Sequence, residues 1–502
     1  MTARARNLGW LGLTLGYLLE TPGAHAYEAE VDASLDAQYY TYQGPWGDPL
    51  VRERRYTTTL GLAVWNITSE AEPRAARLSF QSRMRLDADF GQSSAERQLG
   101  SPHYVPGLEE APLDLMYAYL EGERFLNGYL GFRVGRQYVF DTLGFWSFDG
   151  GLVSLSTPFG LVLEGYAGYE QRGGGLPYFG TQRFESQGVY RGDREGYDAS
   201  YYPMFLDESA LAPAAGVAVE ASAFGVLHSR LSYLKVISRD EVNVSPFADA
   251  GNGLYYLSGN RVSSNRLGYS LRADSRKVGV LSGELVYDFY NQLFSEYGVT
   301  ADVYVTSGLT LGAAFERYTP TFDGDSIFNW FSHSPTTSAL GHAELRFSRR
   351  WQTTLSGGVR LFETEGDPDS FASDPQPESK HQMLDVLLDA GVRYDYGRGN
   401  VELHGGGEGG ERGHRYGADV TGRQRFGARY DGLCVLSLWD WSDGLRPDRD
   451  ATSFAYVLGA GVTPGANFFA RSRLGVELEH DMNQLVGHRF RALVTLDLTV
   501  LK

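Results

Sequence analysis

The sequence predicts an all-β chain: a single-chain transmembrane antiparallel β-barrel of about 22 strands, with no plug domain ahead of the first strand. The first observation is the stretch "RLSFQSRMRLDADF", where Leu78, Phe80, Met84, Leu86, Ala88 and Phe90 alternate with Arg77, Ser79, Gln81, Arg83, Arg85, Asp87 and Asp89. Successive side chains of a strand point to opposite faces, so this period of two places oil on one side and ions on the other. Strands of soluble domains usually run to about 5–6 residues, far shorter than this one. The second observation is that such segments recur along the chain. The third is composition: 62 Gly, 27 Phe, 32 Tyr and one Cys in 502 residues, with a mean hydropathy of -0.30. A closed sheet with lipid outside and a polar lumen inside satisfies all three, because closure also pairs the backbone groups that lipid cannot solvate.

The elements follow in chain order. Residues 1–26 combine Arg4 and Arg6, the short apolar run "LGWLGLTLGYLL" and the small-residue pair Ala24 and Ala26 flanking His25, the pattern of a cleaved secretory signal peptide. The barrel is expected over 27–502. Its strands are read at 28–42, 54–68, 75–91, 113–125, 129–141, 151–157, 161–171, 212–223, 226–239, 261–275, 278–291, 296–306, 309–320, 337–349, 351–363, 382–396, 400–409, 413–426, 429–441, 453–462, 466–480 and 487–501. Short turns marked by Gly or Pro, such as "LNG" at 126–128 and "PFG" at 158–160, alternate with longer polar loops. An even strand number brings both chain ends to the short-turn side.

Charge and cysteine content exclude several classes. A formal charge of -17 argues against a nucleic-acid binder, which needs a basic footprint. The lone Cys434 excludes a disulfide framework and a CxxCH haem attachment, and its setting "GLCVLSLWDW" suits a packed or lipid-facing thiol. No cofactor is implied. Acidic loops such as "FDGDS" at 322–326 and "EGDPDS" at 365–370 lack the ligand spacing of a dedicated calcium site, so no metal is expected.

Candidate lumen residues come from strand parity. Besides Arg77, Arg83, Arg85, Asp87 and Asp89, the last hairpin places Arg471, Arg473, Glu477, Arg489, Arg491 and Asp497 on one face, with Glu477 near Arg489 and Arg491. His342, Glu344 and Arg346 share the same face of their strand. The first two could form a base or metal ligand, but a polar wall accounts for them and no enzyme is expected. In "GFRVGRQYVFDTLGFWSFDGG", Arg136 falls among Phe132, Val134, Tyr138 and Phe140. A bulge at Gly135 that turns it inward would remove a lipid-facing cost of roughly 2–4 kcal/mol. Phe145, Trp146 and Phe148 are expected as interfacial aromatics at the rim. Residues 172–211 form the longest connection, and Tyr178, Phe179, Phe184, Tyr190, Tyr197, Tyr201 and Tyr202 make it a candidate extracellular lid over the lumen.

With the signal peptide, the alternation and the short-turn, long-loop rhythm in hand, the chain resembles a Gram-negative outer-membrane β-barrel of porin type over residues 27–502. The resemblance is architectural, with no family-specific motif. It implies outer-membrane lipid and the barrel-assembly machinery as partners and periplasmic termini. The chain departs from the pattern in ending "LTVLK" rather than on an aromatic residue, so either Phe490 and the apolar face serve recognition by that machinery or the end is atypical. The function implied is passive diffusion of small polar or charged solutes. The alternative is a sleeve for a periplasmic or multihaem partner protein in an electron conduit.

Overall fold

The computed structural model describes residues 28–47, 49–67, 76–89, 113–171, 212–238, 242–243, 256–257, 260–321, 334–365, 380–444, 449–463 and 472–501. The strands are β1 (Glu28–Gln43), β2 (Pro49–Trp65), β3 (Arg77–Asp89), β4 (Leu113–Arg124), β5 (Leu130–Asp141), β6 (Gly144–Ser156), β7 (Leu161–Glu170), β8 (Pro213–Ala223) and β9 (Leu227–Ser238). After the two-residue pair β10 (Val242–Asn243) and β11 (Tyr256–Leu257) come β12 (Arg261–Ser275), β13 (Gly279–Asp288), β14 (Leu293–Thr306), β15 (Leu309–Tyr318), β16 (Thr336–Arg346) and β17 (Trp351–Glu365). The remainder are β18 (Lys380–Asp395), β19 (Gly399–Gly410), β20 (Gly413–Phe426), β21 (Tyr430–Asp443), β22 (Ala451–Val462), β23 (Arg473–Asn483) and β24 (Gly487–Leu501).

All but β10 and β11 belong to one 22-stranded sheet. Each strand pairs with its neighbours in antiparallel register, and β24 returns to β1 from Glu30↔Leu501 to Gln43↔His488, which closes the ring. Among the described strands every member of the ring has a partner on both sides, as a hydrocarbon surrounding demands, although β5 pairs with β4, and β6 with β7, along only part of its length. Parity carries from strand to strand except at local register shifts, such as those opposite Arg83/Met84 in β4 and opposite Val286/Tyr287 in β14. Leu60, Leu86, Leu355, Leu388, Leu403 and Leu438 are exposed on the outer face, while ion pairs between alternate strands, such as Arg83–Asp32 and Arg360–Glu408, bridge the concave one. Cys434 is exposed on the outer parity.

Two expectations need correction here. The direction of the rhythm is incomplete, because β5–β6, β13–β14 and β19–β20 are joined by short turns at the end where the long connections lie. The strand read at 151–157 begins instead at Gly144, so the aromatic run 145–148 is strand rather than rim.

Candidate functional site

The hairpin β5–β6 departs from the barrel wall. β5 and β6 pair with each other along their whole length, from Leu130↔Leu155 to Asp141↔Gly144. Yet β5 pairs with β4 only between Phe132 and Arg136, and β6 pairs with β7 only from Phe148 onward. The segment beyond these points leaves both neighbours and folds down inside the barrel. Its turn residues Thr142 and Leu143 reach Gly268 of β12, where a side chain larger than hydrogen would meet Leu143 Cδ2 at 2.8 Å.

Sequence chemistry explains the departure. One face of the hairpin carries Val139, Trp146 and Phe148, which bury against Tyr166 of β7, Ala214 of β8, and Leu234 and Val236 of β9. Trp146 stacks on Phe148 with centroids 4.3 Å apart, and its Nε1–H donates to Glu170 Oε1 at 3.2 Å. Gly216 makes room for the Tyr166 ring, since a Cβ there would collide with it. Each forfeited ladder bond is worth about 0.5–1.5 kcal/mol net. Each large apolar side chain buried returns about 1.5–3 kcal/mol, which works against that loss.

Charges pin both ends of the hairpin. At the tip, Asp141 lies 3.6 Å from Arg230 of β9, which also meets Glu164 of β7 at 2.5 Å and Glu220 of β8 at 3.5 Å. At the point of departure, Arg136 Nε and an Nη donate to the two oxygens of Asp149 at 2.8 and 2.9 Å. Its other Nη donates to the carbonyl of Leu115, on the β4 edge that β5 has left, at 2.8 Å. Arg136 is therefore buried at the root of the hairpin, with 3% exposure, and does not line the open lumen. No bulge turns it inward: the β5 register is regular on both sides, and the irregularity lies in β4, between its pairings with Arg83 and Met84. Phe148 and Trp146 are likewise buried under the hairpin rather than set at a lipid interface. The opposite face of the hairpin shows Tyr138, Phe140 and Phe145 as exposed rings. Tyr138 stands edge-on to Tyr117 of the β4 inner face at 5.9 Å.

The remaining predicted residues form a paired wall. Arg83 lies 3.6 Å from Asp32 and donates to Thr59 Oγ1 at 3.1 Å, and Arg85 meets Asp114 at 3.1 Å. Arg77 stands opposite Glu123 in the register, while Asp87 and Asp89 stand opposite Thr57 and Arg55. Arg489 meets Glu479 at 2.5 Å and Asp481 at 3.3 Å, and Arg491 meets Glu477 at 3.0 Å and Glu479 at 2.7 Å. Glu477 thus pairs with Arg491, and the shared acid is Glu479. Arg473 bonds Asp431 at 2.7 Å, and Asp497 stands opposite it in the register. His342 and Glu344 are not brought together as a site: His342 Nε2 lies 2.8 Å from Asp302, and Glu344 pairs with Arg346 at 3.0 Å. Arg471 and the lid candidates Tyr178, Phe179, Phe184, Tyr190, Tyr197, Tyr201 and Tyr202 lie outside the described residues.

Sequence reading missed the device that joins these charges. Gly61 sits between Asp32 and Arg83, and Gly312 between Asp302 and His342, each on the intervening strand. A Cβ at either glycine would collide with the bridging side chains. Inward glycines therefore let alternate strands exchange charge across a middle one. Asp389 and Asp419 likewise hold His404 between them, at 2.5 and 3.0 Å.

No family model and no curated protein matches the chain. Among solved structures, the outer membrane protein opdK from Pseudomonas aeruginosa aligns over 94% of this chain and 99% of its own at 10% identity and a TM-score of 0.41. Acinetobacter baumannii OccAB1 aligns over 94% and 96% at 10% identity and a TM-score of 0.43. The siderophore receptor PirA from Pseudomonas aeruginosa aligns over 93% of this chain and 80% of its own at 9% identity and a TM-score of 0.49. The closed barrel itself rests on the strand register described above.

Proposed function

We propose that this chain is an outer-membrane, porin-type channel for passive passage of small polar or charged solutes. The observation that carries the reading is a closed sheet with an apolar exterior, an ion-paired interior and one hairpin laid against the inner wall. With strands ~4.8 Å apart and tilted by ~40°, a circular 22-stranded barrel has a backbone diameter of about 44 Å. A hairpin occupying one sheet layer of ~10 Å narrows such a lumen without filling it. Lipid holds the exterior, the barrel-assembly machinery inserts it, and the chain ends face the periplasm.

Purified protein in a planar bilayer is expected to conduct ions. Replacing Arg489 and Arg491 by Gln leaves Glu477, Glu479 and Asp481 without these counter-charges. Selectivity should therefore move towards cations, because a low-dielectric channel focuses the field of wall charges on passing ions. A folded protein that never conducts overturns the reading, and co-purification of a haem protein would then favour the sleeve. Residues 172–211 complete the proposal as a lid, supported by their length and aromatic content. Deleting 176–206 should raise the single-channel conductance while heat-modifiability is retained.

A further inference from the structure

We propose that the outer face of the barrel carries a serine acyl-hydrolase site, built from Ser442, His414 and Asp440, that acts on the acyl ester of a membrane lipid. In the register of β20 and β21, His414 stands opposite Ser442 and Tyr416 opposite Asp440. These positions share the parity of the exposed residues Val420, Leu436 and Leu438, so they face away from the lumen. Ser442 Oγ lies 2.7 Å from His414 Nδ1, and His414 Nε2 lies 2.9 Å from Asp440 Oδ1. Thr452 of β22 donates to the second oxygen of Asp440 at 2.7 Å. The Tyr416 ring stacks on the imidazole with centroids 4.8 Å apart and planes at 20°.

This is the order of groups that nucleophilic acyl transfer needs: nucleophile, base, and a carboxylate that orients the base. A carboxylate only accepts hydrogen bonds, so His414 Nε2 carries the ring proton and Nδ1 presents its lone pair to the serine hydroxyl. Thr452 fixes the carboxylate and Tyr416 fixes the plane of the ring. Side-chain exposures of 39% for His414 and 36% for Asp440 leave the site open to a substrate from outside.

Position selects the substrate class. β20 begins at Gly413, β21 ends at Asp443 and β22 begins at Ala451, so the triad lies at the rim. One step further into the sheet, Tyr416, Leu438 and Phe454 begin the exposed apolar surface. The boundary between hydrocarbon and headgroups, where tyrosine is favoured, is also where the ester carbonyls of lipids lie and water is present.

The reaction balances with water as the only co-reactant. Ser442 Oγ bonds to the ester carbonyl carbon while its proton passes to His414 Nδ1. The bond from that carbon to the alcohol oxygen breaks, and the alcohol leaves with the proton. Water then attacks the acyl-serine, giving its proton to Nδ1. The acyl–Oγ bond breaks, Oγ recovers the proton, and a fatty acid is released.

The test uses the full-length protein purified in detergent, a fluorophosphonate probe with peptide mapping, and fatty-acid release from phosphatidylcholine vesicles and, separately, from lipopolysaccharide. The expected result is an adduct at Ser442 and hydrolysis that falls about 10³-fold or more in Ser442→Ala and His414→Ala, and about 10²–10⁴-fold in Asp440→Asn. Release from vesicles identifies a glycerophospholipid ester; release from lipopolysaccharide alone identifies an acylated glucosamine. Heat-modifiability and bilayer conductance should be unchanged in Ser442→Ala, since the residue faces away from the lumen, which separates this test from that of the channel. A wild-type protein that neither labels at Ser442 nor releases fatty acid from either lipid overturns the proposal. So does hydrolysis that persists undiminished in Ser442→Ala, and the cluster would then only knit the rim.

Discussion

Replacing Arg136 by Met is expected to cost about 3–5 kcal/mol, the penalty for removing one partner of a buried ion pair. The guanidinium is 2% exposed and holds both oxygens of Asp149 as well as the Leu115 carbonyl. Methionine fills similar volume but leaves that carboxylate without its counter-charge, at the root of the inward hairpin. Urea unfolding of the protein in lipid vesicles would read the loss as a lower midpoint. The double variant Arg136→Met/Asp149→Leu should recover most of it, because replacing both charges by apolar groups is often close to neutral. A single variant that unfolds within about 1 kcal/mol of wild type would show that the pair does not anchor the hairpin.

The second large effect is expected from Phe148→Ala. Phe148 is fully buried where β6 leaves β7, stacked on Trp146 and packed towards Tyr166. Truncating a buried phenylalanine typically costs about 3–5 kcal/mol. Here the loss falls on the interface that holds the hairpin to the wall, so the open-channel current should also fluctuate between levels as the tip detaches. Phe140→Ala is the control. Phe140 is 78% exposed on the opposite face, and its loss should change stability by no more than about 0.5 kcal/mol. Equal destabilisation by the two variants would refute the assignment of faces.

The sequence by itself determined the even number of barrel strands and the two faces of most of them, while β6 was read short of its start at Gly144. Alternation of period two is local, so Arg77–Phe90 announces its two faces without knowledge of any neighbour. That the last two strands face each other across a short turn was legible too, but their register was not: Glu479, rather than Glu477, stands opposite Arg491 and pairs with both Arg489 and Arg491. Tertiary structure alone decided where the hairpin 130–155 goes. Phe145, Trp146 and Phe148 have the composition of rim aromatics, and only the apolar patch of Tyr166, Leu234 and Val236 on an otherwise polar wall draws Trp146 and Phe148 inward, leaving Phe145 exposed on the other face. Bridges across Gly61 and Gly312 join strands separated by a third, and Ser442 stands 28 residues from His414. Such contacts depend on inter-strand register, a long-range property that residue order along one strand does not encode.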